Sequence, residues 1–162
     1  GPRALGNRSL LGDARNPRMR EIINEKIKCR EWYRPFAPVV LKERASEFFD
    51  IDFESPLMLF IGGVKQPDVI PAVTHVDNSA RVQTVCRSDN PAYYGLVEAF
   101  GEITGVPVLL NTSLNVNGEP IVETVENALN FFVKTRVDYL VVGDRMYDAS
   151  DRQSLCEQAN AA

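Results

Sequence analysis

Four stretches of this 162-residue chain concentrate side chains that could hold an anion. Asn111-Thr112-Ser113-Leu114-Asn115-Val116-Asn117-Gly118 offers neutral amides and hydroxyls, groups able to orient a phosphate, carbonyl or carbamoyl group without changing net charge. Gly1-Pro2-Arg3-Ala4-Leu5-Gly6-Asn7-Arg8-Ser9 sets two arginines among two glycines, a composition suited to an anion-binding turn. In the third stretch, Glu31 to Pro38, two prolines break the chain while Trp32, Tyr33 and Phe36 surround Arg34, an arrangement expected to hold one guanidinium rigidly. Thr74 to Val85 carries the only histidine, His75, together with Asp77, Ser79 and Arg81. Each stretch also has a plain structural reading: Asn and Gly build turns, aromatics pack under loops, and basic residues cover helix surfaces.

The residue types limit the chemistry. A P-loop is excluded because the Gly-x-x-x-x-Gly-Lys-Ser/Thr spacing is absent. His75, Asp77 and Ser79 lie close in sequence, but a triad is a spatial arrangement, so the expectation is a substrate-contacting histidine rather than a general base. Cys29, Cys86 and Cys156 are odd in number and widely spaced, which predicts free thiols and neither a disulfide frame nor a zinc site.

These residues need elements to position them. Asn16-Pro17 predicts a helix start, with Met19, Ile22, Ile23 and Ile27 on an inward face and Arg18, Arg20, Lys26 and Lys28 mostly off it. Val39 to Phe49 predicts an extended segment and a short helix. A buried strand is expected over Leu57 to Ile61, ended by Gly62-Gly63. Asn90-Pro91 opens a helix with Tyr94, Val97 and Phe100 along one side and Gly105 at its end. A strand from Val106 to Leu110 then delivers the polar loop. Thr124 or Glu123 begins another helix, with Ala128, Leu129, Phe132 and Val133 inward, and Asp138 to Gly143 reads as a final buried strand. Strand, loop, helix, strand suggests a βαβ crossover, and the short central turns suggest antiparallel pairing. The expected class is α/β with a mixed parallel/antiparallel twisted sheet and helices. Ser150 to Ala162 is polar and reads as a frayed helix or disorder.

The length suits one domain, and 44% hydrophobic residues suit a globule. No apolar run is long enough for a bilayer, so the expected location is cytoplasmic, without a membrane partner. The first 44 residues hold eleven Lys or Arg against five acids, a surplus of +6, whereas the rest carries −10 within the total of −4. An anionic ligand would be drawn to one part of the molecule. A start at Gly1 inside a dense motif raises the expectation of a fragment of a longer polypeptide.

Taken in order, Gly1 to Ser9, Trp32 to Pro38, Thr74 to Val85 and Asn111 to Val122 resemble the C-terminal domain of the carbamoyltransferases that modify nodulation factors, aminoglycosides and cephem antibiotics. The resemblance implies a YrdC-like fold, that of threonylcarbamoyl-adenylate synthase, over residues 1–150, with a polar tail at 151–162. It also implies an N-terminal transferase domain of the same polypeptide that is absent here. Its implied substrates are carbamoyl phosphate and ATP, ATP coming with Mg²⁺, and no metal is expected to be held by this domain alone. The implied product is carbamoyl adenylate. Carried over by motif, Arg3, Lys28, Arg34 and Arg81 correspond to phosphate-holding residues, with Lys28 and Arg34 assigned to catalysis. Asn115 corresponds to an amide of the same pocket, and His75 and Ser113 join it as binding residues. Some relatives have a basic residue at the position of Asn117, which leaves that contact replaced or missing. The alternatives are a basic-faced nucleic-acid-binding module and a non-catalytic docking domain. An acidic remainder and the lack of a stacked-aromatic RNA motif count against nucleic acid.

Overall fold

The structure is a computed structural model and describes residues 4–160, with side chains to residue 156. Arg3 lies outside the described residues. A six-stranded sheet runs in the order β1-β6-β2-β5-β4-β3. Its strands are β1 (Ser9–Asp13), β2 (Ala37–Leu41), β3 (Phe49–Asp50), β4 (Phe60–Val64), β5 (Ser79–Val85) and β6 (Val108–Ser113). Only β2 and β5 pair in parallel, and every other neighbouring pair is antiparallel. The class is therefore mixed α/β, as expected. β2 is central and buried along its whole length, which is why Ala37-Pro38-Val39-Val40-Leu41 is a continuous apolar run and not an alternating one.

Each face of the sheet has its own core. On one, Val39, Leu41, Val85 and Leu109 meet Tyr93, Tyr94 and Val97 of α3 (Pro91–Thr104). Asn90 caps α3 by accepting the Tyr93 N–H at 3.1 Å, Pro91 occupies its first turn, and Gly105 at φ +76° ends it. The other face packs Leu10, Val40, Val82, Val108 and Leu110 against Ile23 and Ile27, and against Phe131 and Phe132 of α4 (Val125–Lys134). The helix expected after Pro17 is present as α1 (Met19–Glu21) continued by a π-helical stretch, Ile22–Ile27. It lies close on β1, where a Cβ at Gly12 would come within 2.9 Å of Met19 Cγ.

Several elements differ from the sequence reading. The strand expected at Leu57 to Ile61 is β4, which begins at Phe60 and continues through Gly62 and Gly63. Leu57, Leu59, Phe60 and Ile61 are all more than half exposed. Short β3 pairs only with Val64 and Gly63, so it leaves the first half of β4 uncovered. The expected βαβ crossover is absent, because β7 (Leu140–Val142) pairs with β8 (Arg145–Tyr147) in a separate hairpin where Val141 is exposed. The strand before the polar loop extends to Ser113, so Asn111, Thr112 and Ser113 belong to β6 itself. From Ala149 to Asn160 the tail is a helix, α5, held by Arg152. The guanidinium of Arg152 stacks on the Phe132 ring at 4.3 Å while its Nε donates to the Phe132 carbonyl at 3.0 Å. Two short helical turns (Lys42–Arg44 and Pro71–Val73) and α2 (Ala45–Phe48) complete the order. Among the described residues, no helix is long and apolar enough to cross a membrane.

Candidate anion site

The sheet register gathers the chemistry at one end. Ser113 at the end of β6 pairs with Ser9 at the start of β1, and Asn111 pairs with Ala37 at the start of β2. Because β5 runs parallel to β2, its first residues, Ser79 and Arg81, lie at that same end. Arg8, Arg34, His75 and the loop after Ser113 all flank these strand termini. Residues from five parts of the chain thus converge because four strands share one end.

Lys28 is the centre of the arrangement. It closes the π-helical stretch, is 3% exposed, and its Nζ donates to the Ser113 carbonyl, to Ser113 Oγ at 3.3 Å and to Asn115 Oδ1 at 2.8 Å. The Ser113 hydroxyl in turn donates to Asn115 Oδ1 at 2.6 Å, and the Asn115 amide donates to the Glu119 carbonyl at 2.8 Å. All of these acceptors are neutral. A buried ammonium without a carboxylate is costly, and burial, followed by the nearby Arg30 charge, pushes the Lys28 pKa down to about 8. Asn117 touches Lys28 through its backbone N–H, which donates to the Lys28 carbonyl at 3.0 Å, and its side chain is exposed.

Arg30 is the residue that sequence reasoning overlooked. Its guanidinium lies 4.8 Å over the Phe36 ring and its Nε donates to Asn24 Oδ1 at 2.7 Å. Burial and the charge of Arg34 lower its pKa. The aromatic support expected for Arg34 thus belongs to Arg30. Trp32 and Tyr33 are exposed and meet edge to face, while Arg34 is half-exposed with Glu31 Oε2 at 3.7 Å from its guanidinium. The available signal was spacing: Lys28, Arg30 and Arg34 follow one another through the turn that leaves the helix, where Cys29 takes a left-handed φ of +51°.

A second group surrounds His75. Its Nδ1 lies 3.3 Å from Ser79 Oγ, and Ser79 donates to Asp77 Oδ1 at 2.7 Å from its hydroxyl and 3.0 Å from its N–H. The aspartate holds the serine and not the imidazole, so this is a turn and not a triad. Burial lowers the His75 pKa, Arg81 and Arg20 lower it further, and Asp77 opposes them. A neutral imidazole follows at neutral pH. Arg20, expected on the solvated helix face, is instead half-buried and close enough for its charge to act on His75. Phe36 joins the groups, because its ring supports Arg30 and its backbone bonds His75.

Two buried side-chain atoms lack a partner among the described residues, Asn111 Oδ1 and the Tyr93 hydroxyl. The Asn111 amide donates to Gln83 Oε1 at 2.6 Å and to the Ala4 carbonyl at 2.8 Å, which ties the N-terminal segment over the sheet. On the outer side of Asn115 a groove of about 320 Å³ is lined by Arg8, Glu119 and Glu123. Its two carboxylates make it a poor phosphate site. All three cysteines are free thiols.

Residues 1–149 match the family model described as Carbamoyltransferase C-terminus. The chain is 50% identical over 148 residues to the nodulation protein NolO of Bradyrhizobium diazoefficiens, covering 88% of this chain and 27% of that protein. It is 45% identical over 151 residues to the 3'-hydroxymethylcephem-O-carbamoyltransferase of Amycolatopsis lactamdurans, covering 93% of this chain and 29% of that enzyme. The match to an uncharacterized protein of Synechocystis is 46% identical, over 88% and 27% of the two chains. The chain thus spans under a third of the length of these curated relatives. With a match to nearly its whole length, it belongs to the carbamoyltransferase C-terminal family.

Proposed function

We propose that this chain is the part of an O-carbamoyltransferase that binds carbamoyl phosphate and ATP and forms carbamoyl adenylate, which a preceding domain of the same polypeptide transfers to an acceptor hydroxyl. The observation that carries the reading is Lys28, a buried cation whose hydrogen-bond partners among the described residues are neutral oxygens, with Arg30 and Arg34 following it through one turn. That donor set fits a polyanion. Fixed cations favour a ligand that brings several negative charges together, and their order is set before the ligand arrives. The relatives' names support a carbamoyl group as the moiety transferred.

The chemistry asks little covalent work of the protein. Water takes the phosphoryl group of carbamoyl phosphate, and the freed carbamate oxygen attacks the α-phosphorus of ATP. A new P–O bond forms as the bond to pyrophosphate breaks. Arg30, Arg34 and Arg81 hold phosphate oxygens, while Lys28, whose ammonium donates to Ser113 and Asn115, adds positive charge beside them and fixes the loop at the small carbamoyl end. His75, being neutral, serves as a hydrogen-bonding contact. Mg²⁺ accompanying ATP would neutralise charge on its phosphate oxygens.

Calorimetric titration of the chain with carbamoyl phosphate and with ATP, beside single-stranded RNA at two salt concentrations, tests the proposal. Binding of both small molecules and release of pyrophosphate when they are mixed are expected. RNA binding without small-molecule binding would replace this reading with a nucleic-acid module.

A further inference from the structure

Asn24 is a polar residue in the middle of the π-helical stretch, and it is 0% exposed. Its side chain makes three hydrogen bonds to the loop that leads to β2. Nδ2 donates to the Trp32 and Arg34 carbonyls, both at 2.9 Å, and Oδ1 accepts from Arg30 Nε at 2.7 Å. A fourth bond joins the same partners, as the Arg30 N–H donates to the Asn24 carbonyl at 2.9 Å. One buried amide therefore fixes a main-chain arc from residue 30 to residue 34 against the helix that ends in Lys28.

That arc places like charges together. Arg30 acts on Lys28 and Arg34 acts on Arg30, while the Glu31 carboxylate counters Arg30 and Arg34. Three cations within seven residues would spread apart if the loop were free. The π winding contributes to the fit. The Lys28 N–H bonds the Ile23 carbonyl five residues back, and the left-handed Cys29 then turns the chain so that Arg30 returns over Asn24. An α-helical turn would advance the cap by a different angle and carry Arg30 away from the amide.

Resting on the anion-site reading above, we propose that Asn24 is a positioning residue that holds Lys28, Arg30 and Arg34 converged before any anion binds. It touches no substrate. Its amide is the geometric match for two carbonyls and one guanidinium at once, which neither a carboxylate nor a hydroxyl can reproduce. A carboxylate would keep the Arg30 contact but turn lone pairs toward two carbonyl oxygens, and a serine would be too short to span them.

The test compares the wild-type chain with Asn24→Asp, Asn24→Ser and a control, Thr135→Val. Thr135 is a buried residue whose hydroxyl donates to the Phe131 carbonyl at 2.7 Å, so its loss lowers stability away from the site. Inorganic phosphate and carbamoyl phosphate are the probes, read by calorimetry and by the rise in melting temperature that each ligand causes. Both Asn24 variants are expected to weaken binding about tenfold or more and to shrink the ligand-induced rise. Thr135→Val should melt lower yet keep its Kd within about twofold. Folded Asn24 variants with wild-type Kd would reduce the residue to a structural role and overturn the proposal. For variants that do not fold, exchange of the Asn24 side-chain amide protons in the wild-type chain decides. Protection without phosphate supports the proposal, and protection gained only on adding phosphate sinks it. A wild-type chain that keeps this protection but binds neither probe would instead remove the functional reading.

Discussion

Asn115 Oδ1 accepts from Lys28 Nζ at 2.8 Å across 87 residues of sequence, and Ser113 Oγ donates to the same oxygen at 2.6 Å. A neutral amide oxygen thus steadies a buried ammonium without cancelling its charge. Anion binding at the proposed site should therefore depend on pH in a range where ordinary lysines are silent.

With its pKa near 8, Lys28 gives up its proton far below the usual lysine range. Affinity for carbamoyl phosphate should fall about tenfold from pH 7 to pH 9 if binding needs the charged form. Lys28→Met should bind more weakly and lose that pH step. For stability the sign is the reverse. The unfolded chain binds more protons than the folded one between about pH 8 and the ordinary lysine pKa of 10.5, so this group's contribution rises with pH through that window. Calorimetry at four pH values and urea unfolding read the two effects separately.

Arg34→Ala should weaken carbamoyl phosphate binding by about tenfold, the scale of one charge-assisted hydrogen bond. Arg87→Ala is the proper comparison. Arg87 follows the far end of β5 and forms an exposed pair with Glu98 at 2.7 Å, so its loss should change binding less than twofold. Arg20→Ala, beside His75, should fall between them. Equal losses in all three would mean that only net charge matters.

Gly6 has φ +102° and sits on the Tyr93 ring, where an added Cβ would come within 2.4 Å of Cδ1. Gly6→Ala should cost about 1 to 3 kcal/mol through backbone strain and the clash. Release of the segment should free the Asn111 amide from the Ala4 carbonyl. Chemical denaturation gives the first, and amide exchange at Asn111 gives the second.

Thr124 and Asn127 form a reciprocal cap at the start of α4, with Asn127 N–H donating to Thr124 Oγ1 at 3.1 Å and Asn127 Oδ1 accepting from the Thr124 N–H at 3.3 Å. Thr124→Ala should destabilise the chain by about 1 kcal/mol and leave anion affinity unchanged. A loss well under 0.3 kcal/mol would show that packing of Phe131 and Phe132 alone holds the helix.

Helices with strong caps were legible in the sequence. Asn90-Pro91 and Thr124 mark the starts of α3 and α4, and Gly105 marks an end, because capping is chemistry between neighbours. Strand assignments went astray where tertiary context decides. Leu57 to Ile61 has the composition of a buried strand, but short β3 leaves that part exposed. Aromatic support was read for Arg34 from adjacency alone, whereas the π winding and the left-handed Cys29 hand it to Arg30. The grouping of Lys28 with Ser113 and Asn115 was implied by resemblance. No local pattern specifies it, since it depends on which strands share an end of the sheet.

The pairing of Ser9 with Ser113 joins chain segments on the order of a hundred residues apart, and Leu10 to Asp13 continue the same ladder. Such a contact carries a large loop-closure entropy and forms only after the intervening strands are in place. A partly folded chain can hold Lys28 near its helix and still lack the wall that faces it. Anion binding should therefore appear in refolding with the slowest phase, so a phosphate-binding signal would report completion of the fold and not its collapse.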